Sequence, residues 1–224
     1  MGSKNYHSNH VHPKGDNFLD YVKQLDADGL LIKSDKINAT FDLDLADWLD
    51  YTSLADSTLS VFVDKKAVVG TKKISNKEFK HIRKQFKAFD EVTGFDIKFV
   101  NNVKEADVGI VKFKNMARDI GREGPGVYDT GDSYDLGIKS VIYEQSKTGN
   151  KKLNKFDTKT TISHELGHML GLQHPITDFF DDHPNTIMGG DEIVERDGPF
   201  LTKLDLDLIS AGWDAYWANP NIYG

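Results

Sequence analysis

The 224-residue chain predicts an α+β domain in which two long helices pack on a β-sheet. Three observations carry that expectation. The runs Thr58-Leu-Ser-Val-Phe-Val63, Phe95-Asp-Ile-Lys-Phe-Val100 and Ala106-Asp-Val-Gly-Ile-Val-Lys-Phe113 have the β-branched and aromatic content of strands. Between the first two, Phe79, Ile82, Phe86 and Phe89 recur at helical spacing behind Ser75 and Glu78, the two halves of a capping box, and Gly94 supplies the stop. A second helix, capped by Asp157 or Thr158, turns Ile162, Leu166, Met169 and Leu170 towards a core.

Composition sets the class. Hydrophobic residues make up 38% and charged residues 28%, the balance of a folded protein rather than a disordered one. A formal charge of −7 with scattered lysines argues against nucleic acid as the main partner, because neutralising phosphates needs a basic footprint. No run approaches the ~18 consecutive apolar residues of a membrane span. There are no cysteines, so neither a disulfide nor a thiolate switch is available.

The N-terminal 57 residues read as an extension or a propeptide, and residues 58–224 as one catalytic domain. His7, His10 and His12 sit in a polar end that reads as a flexible terminus. Asp16 to Leu31 carries Phe18, Leu19, Val22 and Leu25 at helical spacing, whereas Asp42 to Asp50 alternates acid and apolar residues and fits strand or helix. His81 lies off the apolar stripe of the Ser75 helix and reads as a solvated residue. Beyond Phe113, Met116 to Tyr134 is a loop region rich in glycine and aspartate, with Val127-Tyr-Asp129 as an edge strand and Val141-Ile-Tyr143 as the next strand. Asp129, Asp132 and Asp135 offer oxygens to Ca2+, but no EF-hand pattern follows, and solvated turn aspartates are the simpler reading. A last helix opens at a Thr202 cap and ends near Gly212.

The chemistry concentrates in Thr161-Ile-Ser-His-Glu-Leu-Gly-His-Met-Leu-Gly-Leu-Gln-His-Pro175. His164 and His168 are four apart, so on a helix both can aim a ring nitrogen at one ion. Gly171 tolerates the positive φ that ends the helix and lets His174 return as third ligand. Three imidazoles leave tetrahedral Zn2+ one open position for water, the arrangement of a catalytic site. Zinc lowers the pKa of that water to ~7, and Glu165 is placed to act as general base.

On these residues the chain resembles the metzincin zinc endopeptidases, and within them the serralysins and matrixins. His164 to His174 is similar to their long histidine motif, and Pro175 is a serralysin habit. Thr186-Ile-Met-Gly-Gly190 resembles their methionine turn, with Met188 as the floor under the histidines. Serralysins carry a tyrosine where this chain has Gly190, so the matrixin form is the better template. The resemblance covers about residues 58 to 213. It implies a metzincin-like zinc protease domain with a mixed twisted sheet and a small C-terminal subdomain, the Thr202 helix closing it and Asp205 tying that helix to the methionine turn. It also implies an edge strand at Val127-Tyr-Asp129 for an extended substrate, and pocket walls at residues 176–182 and 193–199. His183 lies in this loop and reads as a surface residue. Neither a matrixin-type structural zinc nor the glycine-aspartate repeats of a serralysin β-roll is expected.

The function implied is a secreted, monomeric, zinc-dependent endopeptidase acting on a protein or peptide substrate, with no nucleic-acid partner and no membrane span. The competing reading is a zinc-binding interaction module without turnover. An intact Glu165 counts against it, since metal ligation alone has no need of that carboxylate.

Overall fold

A computed structural model of the chain describes residues 31–33, 38–40, 58–67, 71–114, 126–129, 138–144, 151–172, 186–188 and 200–218. In chain order these form β1 (Leu31–Lys33), β2 (Asn38–Thr40), β3 (Thr58–Val63), α1 (Asn76–Thr93), β4 (Asp96–Val100), β5 (Val108–Phe113), β6 (Gly126–Asp129), β7 (Lys139–Glu144), α2 (Lys151–Met169) and α3 (Lys203–Ala218). β1 and β2 pair as a separate antiparallel hairpin. Leu31, expected at the end of a helix, begins β1 instead.

The main sheet has the order β4-β3-β5-β7-β6. β4, β3, β5 and β7 all run parallel, and only the short edge strand β6 is antiparallel to its neighbour. Parallel neighbours cannot be joined by a tight turn, so the chain must cross over between them, as it does through α1 between β3 and β4. β5, at the centre, is buried at every position, which parallel strands covered on both faces require.

This architecture corrects the expected fold class. Four of the five strands form an all-parallel body with one antiparallel edge strand, in place of the α+β, metzincin-like sheet, and the expected closing helix is as substantial as the other two, the three having 18, 19 and 16 residues. Among the described residues α3 does not stand apart as a separate C-terminal subdomain either. Leu204, Leu208, Ile209 and Trp213 of α3 belong to the same buried cluster as Val61, Ile110 and Val141 of the sheet. The physical reason is that strand partners are chosen over long sequence separations, and local alternation does not say whether the neighbour runs parallel or antiparallel.

α1 begins and ends as its sequence dictates. The Ser75 hydroxyl accepts from the Glu78 amide at 3.2 Å, and the Glu78 carboxylate accepts from the Ser75 amide at 2.7 Å. Gly94 closes the helix at φ 73°, a conformation that costs glycine little. α1 packs on the sheet through Phe86 and Phe89, and Phe89 stacks on Phe95 with centroids 5.4 Å apart. Trp213 of α3 meets the Phe95 ring edge-on at 5.1 Å, so one aromatic group joins α1, the start of β4 and α3. Truncating a ring in such a core costs roughly 3–5 kcal/mol.

α2 starts at Lys151, nearly two turns before the expected cap at Asp157 or Thr158, and α3 runs past Gly212 to Ala218. No helix among the described residues is long and apolar enough to cross a membrane.

Candidate metal centre

The C-terminal end of α2 positions two of the three expected ligands, His164 and His168. Gly171 adopts φ 104°. The Leu172 amide donates to the Gly167 carbonyl at 2.9 Å and the Gly171 amide to the His168 carbonyl at 3.1 Å, the paired bonds of a Schellman stop. The turn brings the Leu172 carbonyl back over the last helical turn, where it lies 2.8 Å from His168 Nδ1. The carbonyl can only accept, so His168 Nδ1 is the protonated nitrogen and Nε2 carries the lone pair.

His164 is oriented by another segment in the same way. Its Nδ1 lies 2.9 Å from the carbonyl of Ile187, in the short described segment Thr186–Met188. Its Nε2 is therefore also the basic nitrogen. The two rings stand 4.8 Å apart, nearly perpendicular at 84°. Carbonyl acceptors on the far nitrogen of a metal-ligating histidine fix its tautomer and raise its basicity, so this donor set fits a divalent ion that prefers nitrogen.

Asp205 holds the Thr186–Met188 segment in place. Its carboxylate accepts from the Thr186 hydroxyl, from the Ile187 amide at 3.0 Å and from the Thr202 amide at 2.7 Å. The Thr202 hydroxyl accepts in return from the Asp205 amide at 3.2 Å, which makes Asp205 half of the capping box of α3. Burial pushes the Asp205 carboxyl up from its ordinary value, against these hydrogen bonds, which pull it down. Met188 is buried with its sulfur against Gly167; a Cβ built on that glycine would stand 2.5 Å from the sulfur. The glycine between the two histidines thus leaves the space that Met188 fills.

Glu165 lies between the histidines in sequence and is 1% exposed. Burial pushes its carboxyl up to about 8. A dication brought next to it would pull that value back down by stabilising the carboxylate. Glu165 Oε2 and His168 Nε2 are both buried.

No group of three or more potential metal-ligating side chains occurs among the described residues. His174, expected as the third ligand, lies outside them, together with Pro175, His183, Gly190, Asp132 and Asp135, the loops 176–182 and 193–199, and the N-terminal histidines. Asp129 is described only as part of β6.

His81 corrects the sequence reading. It is 4% exposed, not solvated, and its Nε2 lies 2.9 Å from the Ser163 hydroxyl and 3.1 Å from the Lys159 carbonyl, linking α1 to α2 beside His164. Its ring also packs on Phe200, centroids 5.1 Å apart. The missed signal was a polar line on α1: Glu78, His81 and Gln85, three and four apart, are all buried. Gln85 accepts from the Leu201 amide at 3.0 Å. Trp213 was likewise unassigned in the sequence, and its indole N–H donates to the Leu170 carbonyl at 3.2 Å, satisfying one acceptor at the end of α2.

No protein-family model and no curated protein matches this chain. Among solved structures, the GM1 bound form of the ECX AB5 holotoxin is similar at 12% sequence identity, covering 78% of this chain and 84% of that one, with a TM-score of 0.47. A likeness at that level carries no argument about fold or activity.

Proposed function

We propose that the chain is a zinc-dependent endopeptidase, with His164, His168 and His174 as metal ligands and Glu165 as general base. The observation that carries the reading is the pair of backbone carbonyls, Ile187 and Leu172, that hold both imidazoles by Nδ1 and leave Nε2 of each ring as the basic nitrogen. A buried carboxylate, Glu165, neighbours both rings in the sequence. The zinc, once bound, would lower the pKa of water and polarise the scissile carbonyl.

The remaining steps belong to the side chains. Glu165 accepts a proton from the attacking water and passes it to the departing amine. Its burial excludes bulk water, which would otherwise weaken the interaction of that carboxylate with the developing charge. Met188 and Gly167 keep the histidine turn of α2 packed from below, and Asp205 keeps the Ile187 carbonyl on His164.

The test is hydrolysis of casein with zinc loaded and with a chelator added, in the native chain and in Glu165→Ala, alongside the measured zinc content of each. Chelator-sensitive cleavage that falls by at least about a hundredfold in the variant, at unchanged zinc content, is the expected result. Cleavage surviving in both proteins would assign the activity to something else. Full zinc occupancy with no cleavage of casein or of a mixed peptide library would favour a binding module without turnover.

A further inference from the structure

The outer face of α1 and the edge of the sheet form a second feature, unrelated to the histidines. Lys80, Arg83, Lys84 and Lys87 project over Ile97 and Phe99 of β4, around a groove of about 430 Å³. Asp90 is the one acid in its lining. Four cations against one anion is a strong local excess in a chain whose formal charge is −7. The floor is apolar and fixed: Phe99 meets Phe79 and Phe86 of α1 edge-on, with centroids 5.7 and 5.8 Å apart. Arg83 lies 5.7 Å from the Phe99 ring, which orients its guanidinium over the groove.

β4 is also a sheet edge, paired only with β3 among the described residues. A strand laid beside it would extend the sheet, and alternate side chains would fall on the face shared with Ile97 and Phe99, beneath the cations of α1. We infer that this groove binds an extended peptide bearing carboxylates at alternate positions, through backbone pairing with β4 and charge pairing with Lys80 and Arg83.

Charge complementarity selects the occupant. Arg83 can take a carboxylate with two parallel hydrogen bonds, while Lys80 offers a point charge. The other two cations are partly engaged: Lys84 stands over the Phe200 ring at 3.8 Å, and Lys87 pairs with Glu91 at 3.2 Å on the surface. A nucleic acid fits less well. It would need a longer cationic track, would be repelled by the net charge of the chain, and would leave the open backbone groups of β4 unused.

The experiment uses the full chain and a fluorescein-labelled synthetic peptide alternating glutamate and valine, followed by fluorescence anisotropy. Three competitors accompany it: the same composition with its glutamates in one block, the alternating peptide N-methylated at every second amide, and oligothymidylate of equal charge. Saturable binding by the alternating peptide, at least about tenfold weaker in the exposed pair Lys80→Glu/Arg83→Glu, is expected. The N-methylated peptide should compete at least about tenfold less well, because it cannot pair with an edge. The pair Lys80→Ala/Arg83→Ala keeps the question answerable if charge reversal disturbs the fold, a point circular dichroism settles. Absence of saturable binding would overturn the inference. Equal competition by the block peptide, the N-methylated peptide or the oligonucleotide would also overturn it, by showing an undirected polyanion patch.

Discussion

Glu78 and Asp205 are the same local device used in two surroundings. Each is a buried carboxylate at the third position of a helix, returning a hydrogen bond to the cap residue, Ser75 in one case and Thr202 in the other. Glu78 faces a cation, since Lys112 of β5 donates to its carboxylate at 2.5 Å with both side chains nearly buried. Among the described residues Asp205 has hydrogen-bond donors only. Burial would raise the Glu78 carboxyl, but the bonds from Lys112 and Ser75 outweigh it and hold that carboxyl below its ordinary value. At Asp205 only hydrogen bonds oppose burial among the described residues, and the value rises.

The difference sets opposite slopes. The Glu78 contribution to stability is present above the ordinary glutamate pKa and is lost as pH falls through the lowered folded value. The Asp205 contribution is complete below the ordinary aspartate pKa and declines as pH rises through the raised folded value. A buried cation therefore decides whether a helix-capping acid works best charged or neutral. The lesson is electrostatic, since both helices are capped with the same geometry.

The largest way to break the comparison is Asp205→Ala. It strands the Thr186 hydroxyl and the Ile187 and Thr202 amides at once, and a loss of about 4 kcal/mol is expected in urea unfolding, together with loss of any chelator-sensitive cleavage. A loss under about 1 kcal/mol would mean that this carboxylate is not what ties α3 to the segment under His164. Next is Lys112→Met, which leaves Glu78 as an uncompensated buried charge and should cost about 3 kcal/mol near neutral pH. Adding Glu78→Gln to it should restore most of that stability, and a double variant as weak as the single one would show that the lysine matters for packing instead.

A third buried titratable group sharpens the contrast with a smaller, pH-confined effect. Burial, with the charges of Lys159 and Lys84 adding to it, lowers His81 to about 4. An unfolded histidine takes its proton near ~6.5, so the unfolded chain binds more protons between those values and stability falls as pH drops through that window. The full effect is about 3 kcal/mol, reached only near the lower limit. Urea midpoints measured across the window should slope in the native chain and flatten in His81→Gln; equal slopes would place the acid sensitivity elsewhere.

What could be read from the sequence is what is decided within a turn or two of helix. Ser75, Glu78 and Gly94 delimit α1 because capping depends on residues three apart and on one positive φ. The spacing of His164 and His168 states that they share a helix face, and Gly171 states where the helix stops. The strands β3 to β7 were legible, but the order and parallel pairing of the sheet were not, because β5 pairs with β7 across more than twenty intervening residues and local alternation does not encode strand direction. The burial of His81 was not legible either. Its acceptors at Lys159 and Ser163 are supplied by a helix 78 and 82 residues away. The pairing of Lys112 with Glu78, 34 positions earlier, exists only once α1 lies on the sheet.

The stop at Gly171 has a consequence for tinkering with this protein. One carbonyl, that of Leu172, is placed by the reversal of the chain and also fixes the proton on His168. Lengthening the helix by a single residue, or giving position 171 a side chain that resists φ 104°, would swing the imidazole off its bearing even with every histidine left in place. Where the helix halts and where the ring points are a single inherited setting.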